Sequence, residues 1–400
     1  MSALTLPKPA GALSRSQEFL LKLFSFTNYG VNAFIAVIFP VYFHMLGFSS
    51  LQFGMLYSIG PTVGIIANLV WGVTSDRFQT IKKIITTILS GQLVFILLMF
   101  RAEAYPVIFV LLTLYYFFQT PVNMLNDSQI LLHTKQTGKS YASYRVWGSI
   151  GFAVAALLFG LLLKTPTHGK MALLCIGNVA LALLLSLLLK DARGAGFKKM
   201  QFTGLGKVLL APRLTVFLLL VLLLAVAARI NDGFLSLYLL ERGAGQAVIG
   251  SSWMVSALSE IPLFLLLSRY GDRFRELPLL AFAGLMYTVR FFLMSLPLTP
   301  GMILAVQTMH SLSFGIFLIT ALRYLQGIVP DRFRATGQAV FNVTWGSLSG
   351  LIGGFLGGQL FDVYGGHEVY LTATAFAGIS TVGFFVFGRL SLRKSGEESL

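Results

Sequence analysis

Seven ionisable side chains interrupt the long apolar runs of this sequence: Asp127, Arg145, Arg229, Asp232, Glu260, Arg290 and, when protonated, His310. A charge at bilayer depth costs roughly 2.5–3.5 kcal/mol on insertion scales, so each calls for a partner or a task. Asp127 follows Asn123 and Asn126 at spacings that put positions 123, 126, 127 and 130 on one helical face, with Pro121 just ahead as a bend. Arg145 comes eighteen residues later, across a short loop, where an antiparallel neighbour brings it towards Asp127. A guanidinium paired with a carboxylate lowers the burial cost and keeps spare donors for a ligand hydroxyl or carboxylate. The alternative is an ion pair that only pins two helices. Glu260, Arg290 and His310 fall in three successive apolar runs. A carboxyl caught between desolvation and a nearby cation is suited to load and release a proton; the alternative is a structural charge cluster. Arg229 and Asp232, three residues apart, either neutralise each other or join Glu260 in a relay, with Asn231 beside them. Asn28 and Asn32 in the first run are candidate ligand contacts or interhelical hydrogen bonds.

The elements that must position these groups are membrane-spanning helices. Of 400 residues, 56% are hydrophobic and 11% charged, against about 25% charged in soluble domains. A span needs about 20 mainly apolar residues. Twelve runs meet this: 18–46, 51–74, 83–101, 105–131, 142–164, 169–190, 213–240, 247–268, 277–297, 301–328, 337–361 and 368–388. The expected fold is an all-α membrane protein with two pseudo-symmetric six-helix bundles, 1–190 and 213–400, around a basic linker, 191–212. The net charge of +15 sits mostly in alternate loops, including Arg77, Lys82, Lys83, Arg269, Arg273, Arg275 and Arg334, while the opposite side holds only Arg101, Lys164, Lys170 and Arg242. By the positive-inside rule both termini and the linker are cytoplasmic. The basic residues therefore orient the chain in a bilayer rather than bind nucleic acid. Lys8, Arg15 and Lys22 flank the first run without a small-residue cleavage site after it, so that run is expected to be a retained helix.

Two loops repeat a pattern: Gly72-Val-Thr-Ser-Asp76-Arg77-Phe78 after the second run, and Ser268-Arg269-Tyr270-Gly271-Asp272-Arg273-Phe274 after the eighth. A duplicated six-helix unit predicts such a repeat. The first loop resembles the G-x-x-x-D-R signature of the major facilitator superfamily, with Gln79 and Thr80 where a Gly is usual. The stretch Tyr141-Ala-Ser-Tyr144-Arg145-Val-Trp147-Gly148-Ser149-Ile-Gly151-Phe152 resembles the start of helix five in the lactose permease branch, to which phenylpropionate permeases and nucleoside-proton symporters belong. Phe39-Pro40, Val289-Arg290, Gln307-Thr-Met-His310, Ser313-Phe314-Gly315 and Gly337-Gln338 agree with it. The resemblance implies that Asp127 and Arg145 bind solute, with Asn123, Asn28 and Asn32 nearby. Phe152 stands where the branch has a stacking tryptophan. It also implies that Arg290 and His310 belong to the proton-coupling region, although Ser313 and Gln307 replace a carboxylate and a lysine of that branch. Glu260 is the candidate proton carrier, and Arg229 and Asp232 accompany it. Asp76, Arg77, Asp272 and Arg273 are the expected cytoplasmic latch.

The expected activity is proton-coupled import of a small solute, such as a sugar, a nucleoside or an aromatic acid, by alternating access across the bacterial inner membrane, with the proton as the only cofactor and a monomer as the unit. The alternatives are a proton antiporter exporting sugars or drugs, and a receptor that does not transport. Nothing in the sequence suggests an enzyme: there is no phosphate-cradling G-x-x-x-x-G-K-[ST], the five histidines lack metal-ligand spacing, and the single cysteine, Cys175, reads as an apolar filler. Gly346, Gly350, Gly354 and Gly358 form a stripe on the eleventh run, which reads as a close-packing and sliding surface.

Overall fold

The chain threads back and forth through twelve long helices, as seen in a computed structural model that describes residues 15–137, 140–191, 211–270, 273–330 and 333–397. They are α1 (Arg15–Met45), α2 (Ser50–Phe78), α3 (Ile81–Met99), α4 (Tyr105–Thr137), α5 (Ala142–Leu162), α6 (His168–Leu188), α7 (Pro212–Glu241), α8 (Gln246–Tyr270), α9 (Glu276–Ser295), α10 (Pro300–Ile328), α11 (334–364) and α12 (Gly366–Glu397). Each expected run becomes one apolar span. Helices α2 and α4 run on to Phe78 and Thr137, past the expected ends at 74 and 131. Hydropathy marks where the bilayer stops, whereas backbone hydrogen bonds decide where a helix stops, and the two need not coincide. Most of the expected linker, 191–212, and Asp272 lie outside the described residues.

Two helices are not regular. In α10 a 3₁₀ turn at Gln307–Met309 is followed by a widened π turn at Ser311–Gly315. In α11 a π turn spans Val343–Leu348. A π turn redirects side chains and loosens the carbonyl ladder. The Trp345 carbonyl accepts hydrogen bonds from Arg229 Nε, at 3.4 Å, and from the Ser349 hydroxyl.

By packing, the chain forms two compact units that do not follow the two sequence halves. One comprises Met1–Ala33, Ile66–Ala155 and His168–Phe197; the other comprises Phe34–Ile65, Ala156–Thr167 and Lys198–Leu400. In the first unit, buried Leu21, Phe24, Ile84, Ile85, Ile88, Leu125 and Tyr144 make a continuous core. Asp191 caps α3, accepting from the backbone N–H groups of Ile81 and Lys82, each at 3.1 Å, and from the Thr80 hydroxyl. Just before it, Gln79 takes a left-handed φ of 49°, a conformation that a glycine adopts freely.

In the second unit, α9 and α12 meet through Gly284 and the Thr288–Thr381 hydroxyl pair, 3.2 Å apart. Two further crossings use glycine on both sides. A Cβ on Gly54 of α2 would lie 2.1 Å from the Gly354 carbonyl oxygen of α11, and one on Gly250 of α8 would lie 2.3 Å from the Ala156 carbonyl oxygen of α5. The stripe on α11 is thus a packing face at Gly350, Gly354 and Gly358, whereas Gly346 faces open space. It lies within the π turn, which rotates it away from the stripe. Under exchange of the two halves, α2 with α11 maps onto α8 with α5. The crossings are therefore repeat-related, and both lie at one end of the bundle. The α2–α11 crossing is also tied by polar contacts. Asp362 of α11 accepts from the backbone N–H groups of Ser50 and Leu51 at the start of α2, at 2.5 and 2.8 Å. Ser58 reaches the Gly350 carbonyl at 3.3 Å.

Candidate functional site

The first unit gathers Asn28, Asn32, Tyr29, Asn123, Asp127, Tyr141 and Arg145 into a polar cluster among α1, α4 and α5. Glycine sets it up. A Cβ on Gly151 would lie 2.1 Å from the Phe26 carbonyl oxygen, and one on Gly148 would lie 2.7 Å from the Tyr29 ring, so α1 lies directly against α5. This brings Tyr29 under Arg145, whose guanidinium carbon lies 4.3 Å from the ring centroid. Arg145 Nη1 also donates to Ser149 at 3.4 Å. Asp127 takes the hydroxyl of Tyr141 instead. The sequence reading paired Asp127 directly with Arg145. The structure places the two charges in one cluster but gives each an aromatic partner, because the close approach of α1 inserts Tyr29. Burial first, and then the Asp127 carboxylate, hold the Tyr141 phenol above its ordinary pKa.

The asparagines are tied to their neighbours. Asn28 Nδ2 donates to Asn123 Oδ1 at 2.8 Å, Gln119 donates to Asn32 at 3.0 Å, and Asn126 exchanges hydrogen bonds with Ser25. Phe152 is half-buried on the face of Arg145 and Ser149, while Trp147 is exposed. Asp127 Oδ1 is buried without a hydrogen-bond partner. Beside it, Arg145 keeps N–H groups beyond the one given to Ser149. An open acceptor and open donors next to an aromatic face suit a ligand with hydroxyl groups. Tyr29, Tyr141, Ser149 and Gln119 had no site role in the sequence reading. A glycine at every third position after Arg145 was the signal that a bulky neighbour would press in there.

The second unit brings Glu260, His310 and Arg290 into a single array. His310 Nε2 lies 2.9 Å from Glu260 Oε1, and His310 Nδ1 lies 2.9 Å from Arg290 Nη1. Arginine has only donors, so Nδ1 must accept and the imidazole proton sits on Nε2, directed at Glu260. The imidazole thus links the Glu260 carboxyl to the Arg290 guanidinium, donating to one and accepting from the other. Arg290 is 1% exposed and gives Nη2 to Gln307, which is fully buried and also reached by Ser256 at 3.4 Å. Phe314 stacks on the His310 ring at 5.2 Å. Pro262 lies two residues after Glu260 inside α8, where its missing N–H weakens the ladder beside the carboxyl.

Arg229 and Asp232 do meet, Nη1 to Oδ2 at 3.2 Å. Asn231 Nδ2 donates to the other Asp232 oxygen at 3.3 Å and accepts from Tyr370 at 3.2 Å. Tyr57 of α2 hydrogen-bonds Arg229, whose guanidinium also lies over Trp345, 5.8 Å from the ring. Of the expected latch, Arg77 is exposed at the end of α2, Asp76 is half-buried beside it, and Arg273 lies over the Tyr270 ring at 5.1 Å. Among the described residues no group of three or more His, Cys, Asp or Glu side chains is set to hold a metal ion.

Twelve apolar spans, a repeat-related pair of crossings and charge clusters within the spans define a membrane transporter with the major facilitator fold. Residues 19–372 match the MFS_1 like family, and the chain belongs to it. The maltose permease of Geobacillus stearothermophilus is 27% identical over 357 residues, 88% of this chain and 89% of that protein. An uncharacterised transporter of Bacillus subtilis strain 168 is 24% identical over 338 residues, 84% of each chain. Among solved structures, a mutant of the nucleoside transporter NupG superposes with a TM-score of 0.82 at 18% identity, covering 93% of this chain and 99% of that one. At that identity the likeness concerns the fold.

Proposed function

We propose that the protein is a proton-coupled symporter that brings a small hydroxylated solute, a sugar or a nucleoside, into a bacterial cell. Both termini lie in the cytoplasm on this reading, as the loop charges suggest. The observation that carries it is the Glu260–His310–Arg290 array, with its carboxylate 2.9 Å from a histidine whose tautomer is set by arginine. Protonation of Glu260 removes the anion that balances Arg290. The loaded and empty carriers then differ in charge by one unit inside the protein, and that difference can drive a change of conformation. Arg145, Asp127 and the Tyr29 ring offer donors, an acceptor and an apolar face to the solute. The maltose permease relative and the nucleoside transporter neighbour support a hydroxyl-rich solute, since ribose and maltose share that chemistry. Asp76 and Arg77, with Asp272 and Arg273, would then secure cytoplasmic closure.

The test is the external pH of a lightly buffered, anaerobic suspension of expressing cells, challenged in turn with sugars, nucleosides and aromatic acids. Alkalinisation by one solute, lost in Glu260→Gln, is the expected result. Solute uptake without alkalinisation in the unaltered protein overturns the coupling. Export of a solute from preloaded vesicles of defined orientation, against no import of any, overturns the direction.

A further inference from the structure

Two polar groups on α9 lack what their chemistry demands. The Tyr287 hydroxyl and the Arg290 Nε–H are both buried without a hydrogen-bond partner, in side chains only 1% exposed. They stand three residues apart and so share one face of the helix. An unmet buried donor is destabilising, and orphans of this kind call for an explanation. Four charged groups act on the Tyr287 hydroxyl: Asp232, Arg290, Arg229 and Glu260. Asp232 and Arg229 of α7, Glu260 of α8 and Arg290 on α9 itself thus lie within electrostatic range of it. Behind Arg290 stand His310 of α10 and Tyr370 of α12, and behind Arg229 stands Tyr57 of α2. Tyr287 is therefore within electrostatic range of both the Glu260–His310–Arg290 array and the Arg229–Asp232 pair.

We propose that Tyr287 is a positioning residue that hands Asp232 from Arg229 to Arg290 when Glu260 takes up a proton, donating its free hydroxyl to the Asp232 carboxylate in the loaded state. The inference rests on the proton-coupling reading of Glu260. In the arrangement seen here, Glu260 balances Arg290 through the imidazole, and Asp232 is held by Arg229 at 3.2 Å and by Asn231 at 3.3 Å. Once Glu260 is neutral, Arg290 is a buried cation whose remaining carboxylate neighbour is Asp232. Movement of Asp232 towards α9 satisfies both orphans at once: the phenol gains an acceptor and Nε gains one. The proton stays on Glu260 throughout, and no bond other than hydrogen bonds changes. The two charge clusters thereby become one switch, with the phenol as its pivot.

The test is solute-independent. Infrared difference spectra of the purified full-length protein are recorded through a pH titration, and the Glu260 carboxyl band is assigned by its absence in Glu260→Gln. The Tyr287–Asp232 bond exists only in the protonated state, so it raises the pH of half-protonation. Its removal in Tyr287→Phe lowers that midpoint by about one pH unit, the size of a hydrogen bond to a charged group. Phenylalanine keeps the ring and its packing on Phe291, 5.5 Å away. Asp232→Asn gives a shift in the same direction, and the double variant shifts by less than the sum of the two. A Tyr287→Phe midpoint equal to that of the unaltered protein overturns the inference, as do fully additive shifts. If no carboxyl band titrates that Glu260→Gln removes, the coupling reading itself fails, and that outcome is distinct from the other two.

Discussion

Replacing Gly250 by alanine pits a single methyl group against a backbone. The added Cβ would lie 2.3 Å from the Ala156 carbonyl oxygen and 2.9 Å from Gly160 Cα, where ordinary contact begins at 3.4 Å. Neither neighbour is a side chain that can swing aside, so α5 and α8 must part by about an ångström at this end. Overpacking of this kind costs about 1–3 kcal/mol, and 1.4 kcal/mol is tenfold in an equilibrium. The conformation with this end closed therefore loses about tenfold or more in population to one with it open. The reporter is Ser58→Cys, placed at the other crossing, where Ser58 is 5% exposed against Gly350. The background is low, because the native Cys175 is free but buried. A membrane-impermeant maleimide is added outside intact cells, on the side that the loop charges assign to this end. Gly250→Ala should raise the labelling rate of the reporter about tenfold and slow solute uptake in proportion. Unchanged labelling with normal uptake would refute the reasoning. It would mean that α5 and α8 absorb the methyl locally and that the two crossings do not open together.

Arg145→Lys keeps the charge but removes the planar stack on Tyr29, and it should raise the KM for the transported solute about tenfold with little change in maximal rate. Asp362→Ala removes the cap at the start of α2, a change worth about 0.5–2 kcal/mol. It should lower the Tm of the purified protein by about 1–2 °C and make Ser58→Cys more reactive. Lowered Tm with unchanged labelling would assign Asp362 to stability alone. Glu260→Gln should abolish solute-dependent alkalinisation and cut accumulation at least tenfold, measured in the same cell suspensions.

The spans were legible because a bilayer demands about twenty apolar residues per crossing, and twelve such runs stand out in this chain. The repeat was legible from two short loops. Division at the linker follows the duplicated sequence, whereas the compact units follow contacts and cut through α1, α2 and α5. Arg229 and Asp232 were readable as neighbours from their spacing alone. Glu260, Arg290 and His310 were readable as charges that needed partners, but which imidazole nitrogen each would meet depends on helix rotation that hydropathy does not encode. For Asp127 and Arg145 the spacing gave the neighbourhood and missed the partners. Tyr29 enters through a tertiary contact that only the glycines at 148 and 151 hinted at.

The π turns in α10 and α11 bear on how residues of this protein are matched to those of its relatives. Each widened turn carries one residue more than an α-helical turn would, as a single-residue insertion in a helix does. A relative with an ordinary turn at the same depth would share a column in an ungapped alignment with this chain yet present a different side chain to its interior. Ser313 is the case in point: it follows His310 by three residues but lies within the π turn, so its face is not the one that the same offset reaches in a regular helix. Against a relative with an ordinary turn, residues beyond 342 of α11 therefore match only with a one-position gap, whereas in α10 the tightened 3₁₀ turn at Gln307–Met309 offsets the widened turn that follows it.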